Sequence, residues 1–288
     1  MRSTRFHLWI AGLLVFAALG AAARATAPPA NAADLLPDAH EARVLVLGEL
    51  HGTNEAPALA AAVVRQRLDA GLPVTLALEV HAAEQPRLDA FLASNGDDAA
   101  RTALLCGDFW QVPAERSDGR RSVAMLALLE SMQRFRAAGH DVRVLAFDAG
   151  NAGGGAPRRN QRMAAVLREA IARDPQRAFV VLAGNYHLRR VTPDRMGGLL
   201  SGESPPVPTM AHLADLPVFR VNVTARDGEF WACMGGACGP QPVGPRGIWG
   251  GDEAGAPRYR QTPEDAGRYD AQLMLPRFSV AAPVAVEP

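Results

Sequence analysis

The sequence predicts an α/β protein: a mostly parallel sheet with helices on both faces, followed by an irregular, Gly/Pro-rich C-terminal region. Three observations carry that prediction. Short Val/Leu/Ala runs of strand length alternate with segments of helical composition, the order that builds a parallel sheet. The strand runs are apolar along their length, as in strands covered on both faces. Between positions 235 and 257 there are 12 Gly or Pro in 23 residues, too many for regular structure.

Arg43-Val-Leu-Val-Leu-Gly48 reads as the first buried strand. Ala56 to Ala70 is a helix stopped by Gly71, and Pro73 to Glu79 a second strand. Gln85 to Ala93 is a short helix, and residues 95–121 are read as irregular. Ser122 to Ala138 is an amphipathic helix, capped by Ser122 and ended by Gly139. Val142 to Phe147 is the third strand, Asp148 to Arg159 a Gly-rich loop, and Asn160 to Arg173 a helix. Ala178 to Ala183 and Val218 to Thr224 are the fourth and fifth strands. Asp270 to Val280 returns as a last strand, and Pro283 onward is a loose tail.

The first segment stands outside this pattern. Arg2 and Arg5 precede an apolar run from Leu8 to Ala23, and Ala23-Arg24-Ala25 is a small-x-small cleavage pattern. Residues 1–25 therefore read as a secretory signal peptide and 26–288 as a single domain, with a C-terminal extension over 225–288. The run is short for a membrane-spanning anchor, and no Cys follows it to carry a lipid. The mature protein is expected in the periplasm or secreted, without a membrane anchor. In that compartment Cys233 and Cys238, in Cys-Met-Gly-Gly-Ala-Cys, are expected to pair as a disulfide. Two Cys alone do not complete a zinc tetrahedron. Cys106 is left over and is read as a buried apolar residue.

Composition removes several function classes. Thirty basic residues balance thirty acidic ones, without the basic excess of a nucleic-acid binder. All thirty are Arg, so there is no Schiff-base lysine, no phosphate-loop lysine and no Ser-Lys pair. His-Glu-x-x-His, Gly-x-Ser-x-Gly and Gly-x-Gly-x-x-Gly are absent from the sequence.

What remains collects at strand ends, the edge where open parallel sheets bind ligands. The first strand ends in Gly48-Glu49-Leu50-His51-Gly52, the second in Glu79-Val80-His81, the third in Asp148, and the fourth in Gly184-Asn185-Tyr186-His187. Residues two apart in an extended chain face the same side, so Glu49 with His51 can face one cleft. Glu49, His51, Glu79 and His187 are the candidate catalytic set. His81 is read as the start of the next helix, and Asp148 as either a helix cap or a site residue. Two hydrolytic mechanisms suit the set. In one, His51, Glu79 and His187 hold a divalent metal that acidifies a water. In the other no metal is needed: a carboxylate takes the proton from water while the imidazoles orient it and donate to the oxyanion.

The blocks Leu47-Gly48-Glu49-Leu50-His51-Gly52, Leu76-Ala77-Leu78-Glu79 and Ala183-Gly184-Asn185-Tyr186-His187, with Gln85 and Leu88-Asp89-Ala90-Phe91-Leu92, resemble a known superfamily. It groups haem-binding uptake proteins of the ChaN type, Tiki and TraB proteins and erythromycin esterases. The resemblance covers roughly residues 43–190, about half of the chain after the leader. From the esterase branch it implies a water-activating His and Glu, here His51 and Glu79, with His187 late in the fold. From the Tiki branch it implies a metal-dependent protease, since Gly48-Glu-Leu-His51 and Gly184-Asn-Tyr-His187 share the Gly-x-x-His spacing. From the ChaN branch it implies haem bound through Tyr186 or His187. The ChaN-type lipoprotein Cys is missing, and the region 235–257 has no counterpart.

The reading is an exported hydrolase acting on a small-molecule or peptide substrate. Haem or iron uptake through the same cleft is the alternative, and an inactive relative the third. The hydrolase predicts that His51→Ala and Glu79→Ala abolish turnover with little loss of stability. Haem binding places the loss on Tyr186 or His187, and an inactive relative shows changes in stability alone. Two smaller segments bear on the substrate. Asp108-Phe109-Trp110 with Asp118-Gly119-Arg120-Arg121 is either a cap offering an Arg to an anionic group or a folded surface loop. Gly153-Gly-Gly155 with Arg158 and Arg159 is read as a flexible loop in preference to a phosphate cradle.

Overall fold

Side-chain alternation along the first strand sets the layers. The computed structural model describes residues 32–39, 41–150, 155–189, 206–243, 256–262 and 268–285. In β1 (Val44–Glu49), Leu45 and Leu47 point into one apolar cluster, and Val44 and Val46 into another on the opposite face. The larger cluster is built with α2 (Glu55–Asp69), α3 (Gln85–Ala93), α4 (Asp98–Leu105) and α5 (Val123–Ala137). The smaller is built with α6 (Gly155–Arg173), through Met163, Ala164, Leu167 and Ile171. Helices thus cover both faces of the sheet. A short helix, α1 (Ala32–Leu35), precedes β1.

The remaining strands are β2 (Val74–His81), β3 (Val142–Asp148), β4 (Ala178–Gly184), β5 (Val218–Met234), β6 (Ala237–Pro242), β7 (Arg258–Gln261) and β8 (Ala271–Phe278). Their order is β3-β2-β4-β1-β5-β8-β7, with β6 paired to β5. Every pair is parallel except β5 with β6 and β7 with β8. Parallel register brings the carboxyl ends of β1 to β4 to one edge. Glu49 lies opposite Gly184, and His81 opposite Asp148.

Several elements depart from the sequence reading, each for a local reason. Within 95–121, read as irregular, Asp98–Leu105 is helical, started by Asp97, whose side chain accepts from Ala100 N–H. Only Leu104 of that helix is buried, so it leaves almost no apolar periodicity. The helix expected from Asn160 begins at Gly155, because Pro157 sits in its first turn, where a missing N–H breaks no bond. The fifth strand runs ten residues past Thr224, to Met234. Gly235 and Gly236, both at positive φ, turn it back into β6, so part of the segment read as an excursion is a hairpin. Residues 244–255 lie outside the described residues, as does the 1–25 segment. Strand β7 was not expected. The tail expected to be loose is tied down at its start: Val284 N–H donates to Arg121 O, and Pro283 bridges Ser122. Cys106, expected to be buried, is exposed at the C-terminal end of α4, on the side facing water.

Cys233 and Cys238 are opposed across the β5–β6 hairpin and joined by a disulfide. Among the described residues no helix is long and apolar enough to cross a membrane.

Candidate active site

Glu79, in β2, is the hub of the strand edge. It is 5% exposed, and every oxygen site it has is taken. Its Oε2 accepts the Gly184 N–H at 2.9 Å, from the last residue of β4, and lies 3.5 Å from His51 Nε2. Its Oε1 accepts Arg159 Nη2 at 2.7 Å and lies 3.4 Å from His187 Nε2 and 3.5 Å from Arg120 Nη1. The other ring nitrogen of His51, Nδ1, sits 2.9 Å from Glu49 Oε1 at the end of β1. The imidazole is therefore held between two buried carboxylates while keeping 21% of its side-chain surface exposed. All four candidate catalytic residues, Glu49, His51, Glu79 and His187, meet here.

A second carboxylate site adjoins the first. Asp148, at the end of β3, accepts Arg120 Nη1 and both Nε and Nη2 of Arg159, each at 2.8 Å. It also accepts Gly150 N–H at 2.9 Å. Arg159 thus bridges Glu79 and Asp148. Arg120 is held from behind by Asp118, with Nη2 2.8 Å from Oδ2. His81 lies beside this site, Nε2 3.8 Å from Asp148 Oδ2, with its ring edge-on to Phe109. It closes β2 and leads into a turn of 3-10 helix, Ala82–Glu84.

The electrostatics follow from this packing. Burial alone would lower the pKa of His51, but the charge of Glu79 and the hydrogen bond to Glu49 outweigh it, raising the pKa to about 10. Burial alone would raise the pKa of Glu79, but His51 and His187 hold it well below the usual carboxylate range. Asp148 is likewise held low against its own burial by the hydrogen bonds and charge of Arg159. His81 is lowered, chiefly by burial. Four carboxylates (Glu49, Glu79, Asp118, Asp148) face Arg120, Arg121, Arg159 and the His51 imidazolium, so the cleft is close to neutral.

That balance answers the readings of the smaller segments. Arg120 serves Asp118, Asp148 and Glu79 and is not free for an anionic group. Phe109 and Trp110, weighed as part of a cap, are buried in the larger core cluster, with Arg121 over the Phe109 ring at 4.6 Å and its Nε donating to Phe109 O. Arg159 stands on the first turns of α6, on carboxylates; residues 151–154 lie outside the described residues.

The donor set does not fit a divalent metal on His51, Glu79 and His187. Glu79 Oε1 lies against two guanidinium groups and its Oε2 accepts the Gly184 N–H, so neither oxygen is turned to a cation. Among the described residues no group of three or more His, Cys, Asp or Glu is arranged to hold a metal. Haem iron on Tyr186 or His187 fits no better. The Tyr186 hydroxyl donates to Pro206 O at 2.7 Å, and burial raises its pKa. His187 Nδ1 lies 3.1 Å from Thr209 Oγ1, and its Nε2 faces Glu79 and Arg159.

Sequence reasoning missed the supports. Arg159 was noticed only as part of a loop, and the earlier helix start would have placed it at the edge. Thr209 and Asn160, which lie 3.4 Å apart behind His187, carry no signal in the sequence. Gly184 has a role that its place in a motif does not reveal. A Cβ there would lie 2.9 Å from His51 Nε2 and 3.4 Å from Glu79 Oε2. Gly184→Ala is expected to push the His51 ring off Glu79 and cut turnover on the order of tenfold or more, since small misplacements of reacting groups are costly. Steady-state kinetics beside a thermal melt would check it.

No family profile and no curated protein sequence matches the chain. Solved structures do. The erythromycin esterase EreC, a His-to-Asn variant in its open conformation, superposes with a TM-score of 0.63 at 13% identity, covering 88% of this chain and 95% of that one. A Bacillus cereus protein gives 0.58 at 11% identity, with 90% and 95% covered. A succinoglycan biosynthesis protein gives 0.57 at 10%, with 87% and 92% covered. The chain therefore has the fold of the erythromycin esterases, as its motifs implied. At these identities the likeness is one of fold, and function must be argued from the site.

Proposed function

We propose that the protein is a hydrolase in which His51 is the acid–base residue that activates water. The observation that carries this is the chain Glu49–His51–Glu79: one imidazole, partly open to solvent, hydrogen-bonded at Nδ1 to the buried Glu49 and with Nε2 3.5 Å from the buried Glu79. Glu49 orients the ring and stabilises its charged form, the task of a carboxylate behind a catalytic histidine. Glu79, saturated by Gly184 N–H, Arg159 and His187, is too acidic to act as the base. It anchors the ring. When the ring is neutral its proton stays on Nδ1 toward Glu49, so Nε2 has none to give Glu79 3.5 Å away; its lone pair can take the proton of a water attacking a carbonyl, and the imidazolium then returns it to the leaving oxygen.

A carboxylic ester is the substrate class this chemistry suits, and the neutral cleft favours one without a strong charge. The fold shared with an esterase supports this reading by analogy. Export to the periplasm or beyond is part of the proposal. It rests on the leader pattern of residues 1–25 and is supported by the Cys233–Cys238 disulfide. The test is a panel of neutral esters and peptides assayed with wild type and His51→Ala. An ester cleaved by wild type is expected to be cleaved slower by His51→Ala, on the order of a thousandfold. Equal rates would overturn the assignment.

A further inference from the structure

Trp231 lies in the part of β5 that leaves the main sheet as a hairpin, and it touches both loops that build the site. Its main-chain N–H donates to Gly52 O at 3.1 Å, one residue after His51. Its indole Nε1 donates to Ser117 O at 2.9 Å, one residue before Asp118, the partner of Arg120. Both loops press on it without a side chain between. Gly52 is at φ +72°, and a Cβ there would lie 2.5 Å from Trp231 Cβ. Gly119 is at φ +92°, and a Cβ there would lie 2.4 Å from Trp231 O. Two glycines in conformations that other residues rarely adopt let both loops close on the main chain of β5 at position 231. Two residues further on, Cys233 is bonded to Cys238 on the facing strand. The cross-link closes the hairpin just beyond the tryptophan. The contacts run unbroken from Trp231 to Gly52 and His51 on one side, and through Ser117, Asp118 and Arg120 to Asp148 and Glu79 on the other.

We propose that Trp231 is a positioning residue for the Glu49–His51–Glu79 site, holding the His51 turn and the Arg120 loop in register, and that the Cys233–Cys238 disulfide acts by fixing the hairpin that presents it. This rests on the reading of His51 as the acid–base residue, but its test does not need a substrate. The readout is the pH titration of the His51 imidazole signals by NMR in the exported protein. Trp231→Ala keeps the main-chain bond and removes the indole and its bond to Ser117. It is expected to lower the His51 midpoint by at least about one unit, tenfold in proton affinity, as the ring slips from between its carboxylates. Trp231→Phe keeps ring bulk, loses only the Ser117 bond, and is expected to shift less. The double variant Cys233→Ser, Cys238→Ser is expected to shift in the same direction with circular dichroism unchanged. A Trp231→Ala protein that melts lower with the wild-type His51 midpoint would reduce Trp231 to a structural role and overturn the proposal. If Trp231→Ala does not fold, wild-type midpoints in both Trp231→Phe and the double serine variant overturn it equally. Failure of the hydrolase reading shows elsewhere, as full turnover by His51→Ala, and leaves this titration result standing.

Discussion

Glu79→Ala is expected to abolish turnover and also to destabilise the fold by about 3–5 kcal/mol, the cost of breaking one partner out of a buried ion cluster. Removing the carboxylate strips Arg159 of its 2.7 Å partner, takes the counter-charge from the His51 imidazolium, and leaves Gly184 N–H without an acceptor. Asp148 still holds both arginines, which keeps the loss within that range. Glu79→Gln retains the volume and an acceptor for Gly184 but turns an amide toward a guanidinium, so it is expected to cost less and to be as inactive. Urea unfolding at neutral pH would measure both. A Glu79→Ala protein within about 0.5 kcal/mol of wild type would show that the cluster is not energetically coupled. The sequence reading expected this variant to spare stability, as His51→Ala should. The structure separates the two: Glu79 has every site filled and no solvent, whereas His51 is partly exposed.

Why the strand ends were legible and their supports were not has a physical explanation. In a parallel sheet every carboxyl end falls on one edge, so placing Arg43–Gly48, Pro73–Glu79, Val142–Phe147 and Ala178–Ala183 as strands already placed Glu49, Glu79 and Asp148 together. His51 and His187 follow within four residues of such an end. Arg159 reaches Glu79 across 80 positions and Arg120 across 41, and no local pattern predicts such a distance. Thr209 behind His187 is as remote in kind: a hydroxyl is found in any turn, and only packing chooses it. The C-terminal half was harder because Gly and Pro mark a break in regular structure without saying how long it lasts. Gly235-Gly236 marks a two-residue turn between paired strands, whereas the same composition suggested an extended loop. Trp231 lies in the part of β5 beyond Thr224, where the sequence reading ended the strand, so its contact with the His51 turn could not be foreseen.

Turnover and stability are expected to respond to rising pH in opposite directions. In the folded protein His51 holds its proton up to about pH 10, against 6.5 for the free side chain. The folded state therefore binds that proton more tightly than the unfolded state does. The stability this brings is complete below about pH 6.5 and is lost as pH rises toward 10, by at most about 1.4 kcal/mol per pH unit. Glu79 works in the other sense. Its folded pKa is depressed, so its contribution is complete above its ordinary value of 4.5 and is lost as pH falls through the depressed one. Stability should then be greatest between those limits and decline into the alkaline range. Activity needs the neutral ring, which is scarce at pH 7, so kcat/KM should rise about tenfold per unit from pH 7 to 9 while the melting temperature falls. Glu49→Gln removes one of the two charges holding the imidazolium and should move both curves to lower pH together. A rate that falls with rising pH through the same range would show that the imidazolium is the working form, and His51 would become the proton donor to the substrate instead of the base toward water. A melting temperature that does not change from pH 6.5 to 10 would show that the two carboxylates do not hold the ring charged, and with it would go the reason for assigning His51 the central role.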